Sequence, residues 1–107
     1  MHRIALLFAL LTFTACTKHE PSEFDIEGLD RQAVIEKIGE PEREYQIDGK
    51  RLNDSMGPKP QLARLMADDE TIEVWSYTVT DSRAAAVYFD DSGVVAEVII
   101  FRTDVMY

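Results

Sequence analysis

Apolar residues along this chain fall into three kinds of run, each with its own spacing. The first is continuous: residues 4–13 (IALLFALLTF) carry no charge over ten positions. A helix that crosses a bilayer needs about 20 apolar residues, whereas the core of a secretion signal needs roughly 7–15, so this run predicts a signal rather than a span. The second has helical spacing. Within residues 28–41 (GLDRQAVIEKIGEP), Val34, Ile35 and Ile38 recur at i, i+1 and i+4, and Asp30 stands where an N-cap belongs. Leu29 and Val34 occupy the two positions of a hydrophobic staple, Lys37 sits in the last turn, Gly39 suits a left-handed C-terminal position, and Pro41 prevents continuation. A helix of about two turns is predicted. So short a helix does not persist in water unaided, and its apolar stripe must dock on something.

The third kind of run alternates. Thr71–Thr80 (TIEVWSYTVT) places Trp75, Tyr77 and Val79 on one side and Val74, Ser76 and Thr78 on the other. Asp81-Ser82 reads as a turn, and Arg83–Phe89 (RAAAVYF) as a second strand with Val87 and Phe89 on the side opposite Tyr88. The run DDSG at 90–93 is a further turn in which Gly93 can take positive φ, followed by a third strand over 94–102 (VVAEVIIFR). Strict alternation there puts Ala96, Val98 and Ile100 on one side and Val95, Ile99 and Phe101 on the other with Glu97, so both sides expect cover. One side suits the helix. The other falls to the middle of the chain or to a partner.

The fold class that follows is α+β: one or two short helices packed on a three-stranded antiparallel β-meander. The middle is less patterned. Residues 42–47 suit a short edge strand presenting Tyr45 or Ile47, Asp48-Gly49 a turn, and residues 53–60 a loop. Residues 61–67 place Leu62, Leu65 and Met66 at i, i+3 and i+4 of a short amphipathic helix, which we read as a structural lid on the sheet ahead of the alternative, a functional loop.

Composition narrows what the domain can do. With 107 residues there is room for one small domain. Twenty Asp and Glu against 11 Lys and Arg give a formal charge of −9, which would repel a phosphate backbone, so nucleic acid is not an expected partner. A single cysteine forms no internal disulfide. Beyond residue 16 the only histidine is His19, no thiol nucleophile or Gly-rich phosphate loop is present, and the serines lack an obvious base partner. Asp68-Asp69-Glu70 and Asp90-Asp91 lack the spaced ligand pattern of a calcium loop and read as solvated turn acids. No catalytic residue, metal, cofactor or small-molecule substrate is therefore expected.

The apolar run ends in Thr14-Ala15-Cys16, which resembles the lipobox of bacterial lipoproteins, where cleavage leaves a lipid-modified cysteine as the first residue. The resulting scheme is a signal peptide over 1–15, a lipidated flexible tether over 16–27, and a folded domain over 28–107. His19 falls in the tether as a solvated residue. Cleavage would also remove Arg3, leaving 92 residues with 20 acids against ten Lys and Arg, a formal −10, so lipid on Cys16 rather than charge would hold the protein at a membrane. By resemblance, Thr17 in place of an Asp after the cysteine implies the outer membrane.

Gly28-Leu29-Asp30, Val34, Ile38-Gly39-x-Pro41, Trp75-x-Tyr77 and Val87-x-Phe89-Asp90-x-x-Gly93-Val94-Val95, in that order, resemble the SmpA/OmlA (BamE-like) family of small outer-membrane lipoproteins. The resemblance implies two helices ahead of a three-stranded antiparallel sheet, similar in topology to β-lactamase-inhibitor-like domains. It also implies a non-catalytic accessory or scaffold role in envelope or β-barrel assembly, on the periplasmic face of the outer membrane, through a protein partner. The alternative it leaves open is a periplasmic module that binds another secreted protein. In that frame Gly28, Asp30, Gly39, Pro41 and Gly93 are fold punctuation, and Trp75, Tyr77 and Phe89 are core.

Overall fold

The computed structural model describes residues 19–104. The lipid-attachment expectation at Cys16 and the signal expectation over 1–15 lie outside the described residues. Four antiparallel strands form one open sheet in the order β1 (Arg43–Asp48), β2 (Thr71–Thr80), β3 (Arg83–Phe89) and β4 (Val95–Arg102). Two short helices accompany it, α1 (Arg31–Ile38) before β1 and α2 (Gly49–Asp54) between β1 and β2, with 3-10 turns at Pro21–Phe24 and Gln61–Leu65. The α+β class holds, with one strand more than the meander expected. That strand, REYQID, pairs in unbroken register with β2 from Arg43 opposite Ser76 to Asp48 opposite Thr71. Its pattern is weak because four of its six residues are exposed. The resemblance implied both helices ahead of the sheet; here the second follows the first strand.

α1 forms where its signals predict. The Asp30 carboxylate accepts from the Ala33 amide at 2.9 Å, Val34 and Ile38 are buried, and the Gly39 amide donates to the Ile35 carbonyl at 2.8 Å. Gly39 has φ of 87°, a region that a side chain makes costly. One face of the sheet carries Trp75, Tyr77, Val79, Val87 and Phe89, packed under α1 together with Phe24 and Ile26. The opposite face carries Ile72, Val74, Ala86 and Tyr88 beneath Leu52 of α2 and Ala63 of the second 3-10 turn. The middle of the chain therefore covers the second face, as a lid.

Several local expectations are corrected. The tether does not include residues 19–27: Phe24 and Ile26 are 5% and 1% exposed in the main core, and the His19 amide donates to the Thr78 carbonyl at 3.1 Å. The His19 ring meets Phe24 and Tyr77 edge-on, at 5.7 and 5.5 Å between centroids, so it is not a solvated tether residue. The physical reason is that α1 alone leaves one end of its sheet face bare, and the polar sequence around Phe24 and Ile26 masks two side chains able to fill it. Asp48-Gly49 is a helix start rather than a turn, because Asp48 Oδ1 accepts from the Arg51 amide at 2.7 Å. A Cβ at Gly49 would run into the Ala67 carbonyl oxygen, so the lid closes over a backbone position only glycine leaves room for. Asn53 and Asp54 belong to α2 rather than to the loop.

The expected helix over 61–67 is a 3-10 turn. Pro60, Ala63 and Met66 turn inward at a spacing of three, and Leu65, assigned to the apolar stripe by helical spacing, is 88% exposed. Val95 is likewise on the other side from that expected. Tyr88 pairs with Glu97 and Phe89 with Val95, so Ala96 is an extra residue, and this bulge turns Val95 toward the α1 face, where Val98 and Ile100 also pack.

Candidate functional site

The residues singled out by motif divide between punctuation and core. Gly28, Gly39 and Gly93 have positive φ, Asp30 caps α1, and Pro41 stands between α1 and β1. Gly28 and Asp30 meet the start of β4: the Gly28 amide donates to the Val95 carbonyl at 2.9 Å, and Asp30 forms a bridge with Val94. Trp75, Tyr77 and Phe89 are 3%, 1% and 1% exposed in the α1-side core. The Tyr77 hydroxyl donates to the Gly39 carbonyl at 2.9 Å, tying the end of α1 to the sheet, and burial pushes its ionisation above the ordinary phenol range.

Two charged groups that the motif reading passed over organise the surface around this core. Arg31 donates through Nε to Glu73 Oε1 at 2.7 Å and through Nη2 to the same oxygen, and its guanidinium lies 5.4 Å from the centre of the Phe89 ring. Glu73 also accepts from Trp75 Nε1 at 2.7 Å. The Arg31 hydrogen bond holds the Glu73 carboxyl below its ordinary value of 4.5; partial burial opposes this, and the Trp75 bond adds to it. A carboxyl depressed by folding contributes stability above its unfolded pKa and loses that contribution as pH falls through the folded value. We expect the urea midpoint of Glu73→Gln to lie below wild type at pH 6, and the gap to narrow as the pH is lowered into the acid range; a gap that stayed constant would show that the charge of Glu73 contributes nothing to folding.

On the opposite face, Glu97 is the charged exception in an otherwise apolar strand. Its two carboxylate oxygens accept from the Gln61 and Leu62 amides at 2.9 and 3.0 Å, fastening the lid to β4 across 36 positions of sequence. Asn53 adds a second tie, donating to the Ala63 carbonyl at 2.8 Å. Bonds to a charged acceptor contribute about 1.5–3 kcal/mol. Glu97→Ala is expected to lower stability by about 2 kcal/mol, and amide exchange at Gln61 and Leu62 should accelerate more than exchange in β3. For Glu73 and Glu97 the available signal was an acidic residue inside a strand; the partner was not readable, because it lies dozens of positions away.

The lid does not seal its end of the sheet. A cleft of about 200 Å³ opens between the lid and the β3–β4 turn, floored by Leu62, Met66 and Ile72, with the end of β3 at Phe89 along its edge. Leu65 stands at its mouth, and Glu70, Asp90 and Asp91 line it. The Asp90 carboxylate accepts from the Ser92 and Val94 amides at 2.9 and 3.1 Å, and Glu70 from the Ala67 amide at 2.6 Å. Of the residues that carry the resemblance, Phe89 and Asp90 border this cleft, and Asp91 of the same turn lines it as well. Among the described residues, no cluster of His, Cys, Asp or Glu is placed to hold a metal ion, and no helix is long and apolar enough to cross a membrane.

Comparison with protein-family models, with curated proteins and with solved structures finds no match to this chain.

Proposed function

We propose that the protein is a lipid-anchored, non-catalytic binding module of the bacterial envelope, an accessory or scaffold of SmpA/OmlA type in β-barrel assembly at the periplasmic face of the outer membrane. The observation that carries this reading is the uncharged run 4–13 closing on Thr14-Ala15-Cys16, which holds the only cysteine of the chain. Its apolar length suits a secretion signal, and small residues ahead of the cysteine suit cleavage and acylation there. Several acyl chains on Cys16 would give lasting attachment where one gives only marginal binding. The order of the sequence motifs from Gly28 to Val95 supports the family resemblance, whereas the helix after β1 departs from it, and the poor inventory of nucleophiles and bases supports binding over catalysis.

Mass spectrometry of the natural protein tests the anchor: a chain beginning at an acylated Cys16 is expected, and a chain retaining residues 1–15 with an unmodified thiol removes the reading. Crosslinking in cells tests the role. Barrel-assembly proteins should be captured, and their absence under conditions that retain a known subunit of that machinery would leave the anchor without this function. The alternative, a periplasmic module that recognises some other secreted protein, is favoured by the long segment between β1 and β2, which builds the lid and one wall of the cleft.

A further inference from the structure

We propose that the cleft between the lid and the β3–β4 turn is a docking site for an extended basic segment of a partner protein, one bulky apolar side chain entering the cleft and flanking Lys or Arg residues meeting its acidic rim. The proposal takes up only the binding-module part of the function above and does not depend on acylation of Cys16.

The size of the cleft comes first. At about 200 Å³ it lies below the roughly 300–1,000 Å³ of sites that enclose drug-sized ligands, and it suits a side chain better than a cofactor. Its floor of Leu62, Met66 and Ile72 offers no charge, so an apolar side chain is the group it would desolvate well. Leu65 extends this surface outward, and at 88% exposure its burial by a partner would remove apolar area from water.

Charge then selects the occupant. Three carboxylate residues, Glu70, Asp90 and Asp91, and no basic residue line the cleft. Backbone amides hold two of these carboxylates in place before any partner arrives, which reduces the ordering a complex would require. A formal charge of −9 on the whole chain steers basic segments toward it and repels anionic ones, including phosphate headgroups. A second copy of this chain brings the same net charge, which also counts against self-association here.

The test uses the natural protein, purified from its cells, and three fluorescein-labelled peptides: Gly-Lys-Arg-Phe-Leu-Arg-Lys-Gly, the same with Glu at the four basic positions, and the same with Ala for Phe and Leu. Only the first should bind by fluorescence anisotropy. Leu65→Ser and Asp91→Lys should each weaken it at least tenfold, whereas Lys50→Ala, on the exposed side of α2, should leave it unchanged. Equal binding of the Ala peptide, or affinity insensitive to Leu65→Ser and Asp91→Lys, would reduce the effect to diffuse charge and overturn the proposal. So would no binding by any peptide at 1 mM. A concentration-dependent dimer lost in Leu65→Ser, or phosphatidylglycerol-vesicle binding lost in the same variant, would assign the cleft to a second copy or to lipid instead. A peptide result of either sign leaves the mass-spectrometric test of Cys16 untouched, so the two readings fail separately.

Discussion

Replacing Phe89 with alanine is expected to destabilise the protein by about 3–5 kcal/mol, the range for deleting a fully buried aromatic ring. The side chain is 1% exposed and ends β3 where the sheet bulges against β4. Its ring stands 4.7 Å from the Trp75 ring at 63° between planes, an edge-on geometry that adds to simple burial. Arg31 lies over the same ring and in turn holds Glu73, so the loss would also loosen the α1 contact with β2. Small domains have only about 5–15 kcal/mol of stability in total. At a denaturant slope of roughly 1–3 kcal/mol per molar, the urea midpoint should fall by more than about 1 M. Phe89→Leu should restore part of the loss, because most of the buried volume returns. A midpoint within 0.2 M of wild type for the alanine variant would contradict the packing described for this end of the core.

Ile26→Ala is the second large expected effect, at about 2–5 kcal/mol. A residue on a solvated tether would change stability by no more than about 0.5 kcal/mol, so this one measurement separates the packed segment from the tether expectation. Ile26 is 1% exposed among Phe24, Val34 and Tyr77, and its carbonyl accepts from the Leu29 amide at 3.1 Å. The segment then joins the sheet through Gly28 and Leu29, which exchange hydrogen bonds with Val95 at 2.9 and 2.8 Å. Its loss would uncover α1 and the Tyr77 end of the core together. Limited proteolysis supplies an independent reading: cleavage within 20–27 should be as slow in the wild type as cleavage within β2, and faster in the variant. Rapid cleavage of the wild type there would restore the tether.

The readable parts of this fold share a short range. Asp30 caps a helix three residues from the amide it accepts, Gly39 ends it within one turn, and alternation along β2 and β3 sorts Trp75, Tyr77 and Phe89 from Val74 and Tyr88 without reference to distant chain. Glu97 was visible as an anomaly but not as a clamp, since its donors lie in a segment whose own pattern suggested an α-helix. The cleft was less legible still. Its lining combines residues from the lid, β2 and the end of β3, and its acids looked like ordinary turn residues in each local context.

Sequence alone determined the α1 helix, the strands and turns from Thr71 to Arg102, the acidic charge and the absence of a second thiol, because caps, alternation and composition act over a few residues or over none. Tertiary structure alone decided that residues 19–27 pack, that Val95 crosses to the α1 face, that a 3-10 turn leaves Leu65 in water, and that an acid-lined cleft opens beside it. Each of those outcomes turns on which distant surface is left uncovered once the sheet has formed. The free energy of covering it outweighs the weak local preferences of Phe24, Ile26 and the 61–65 segment.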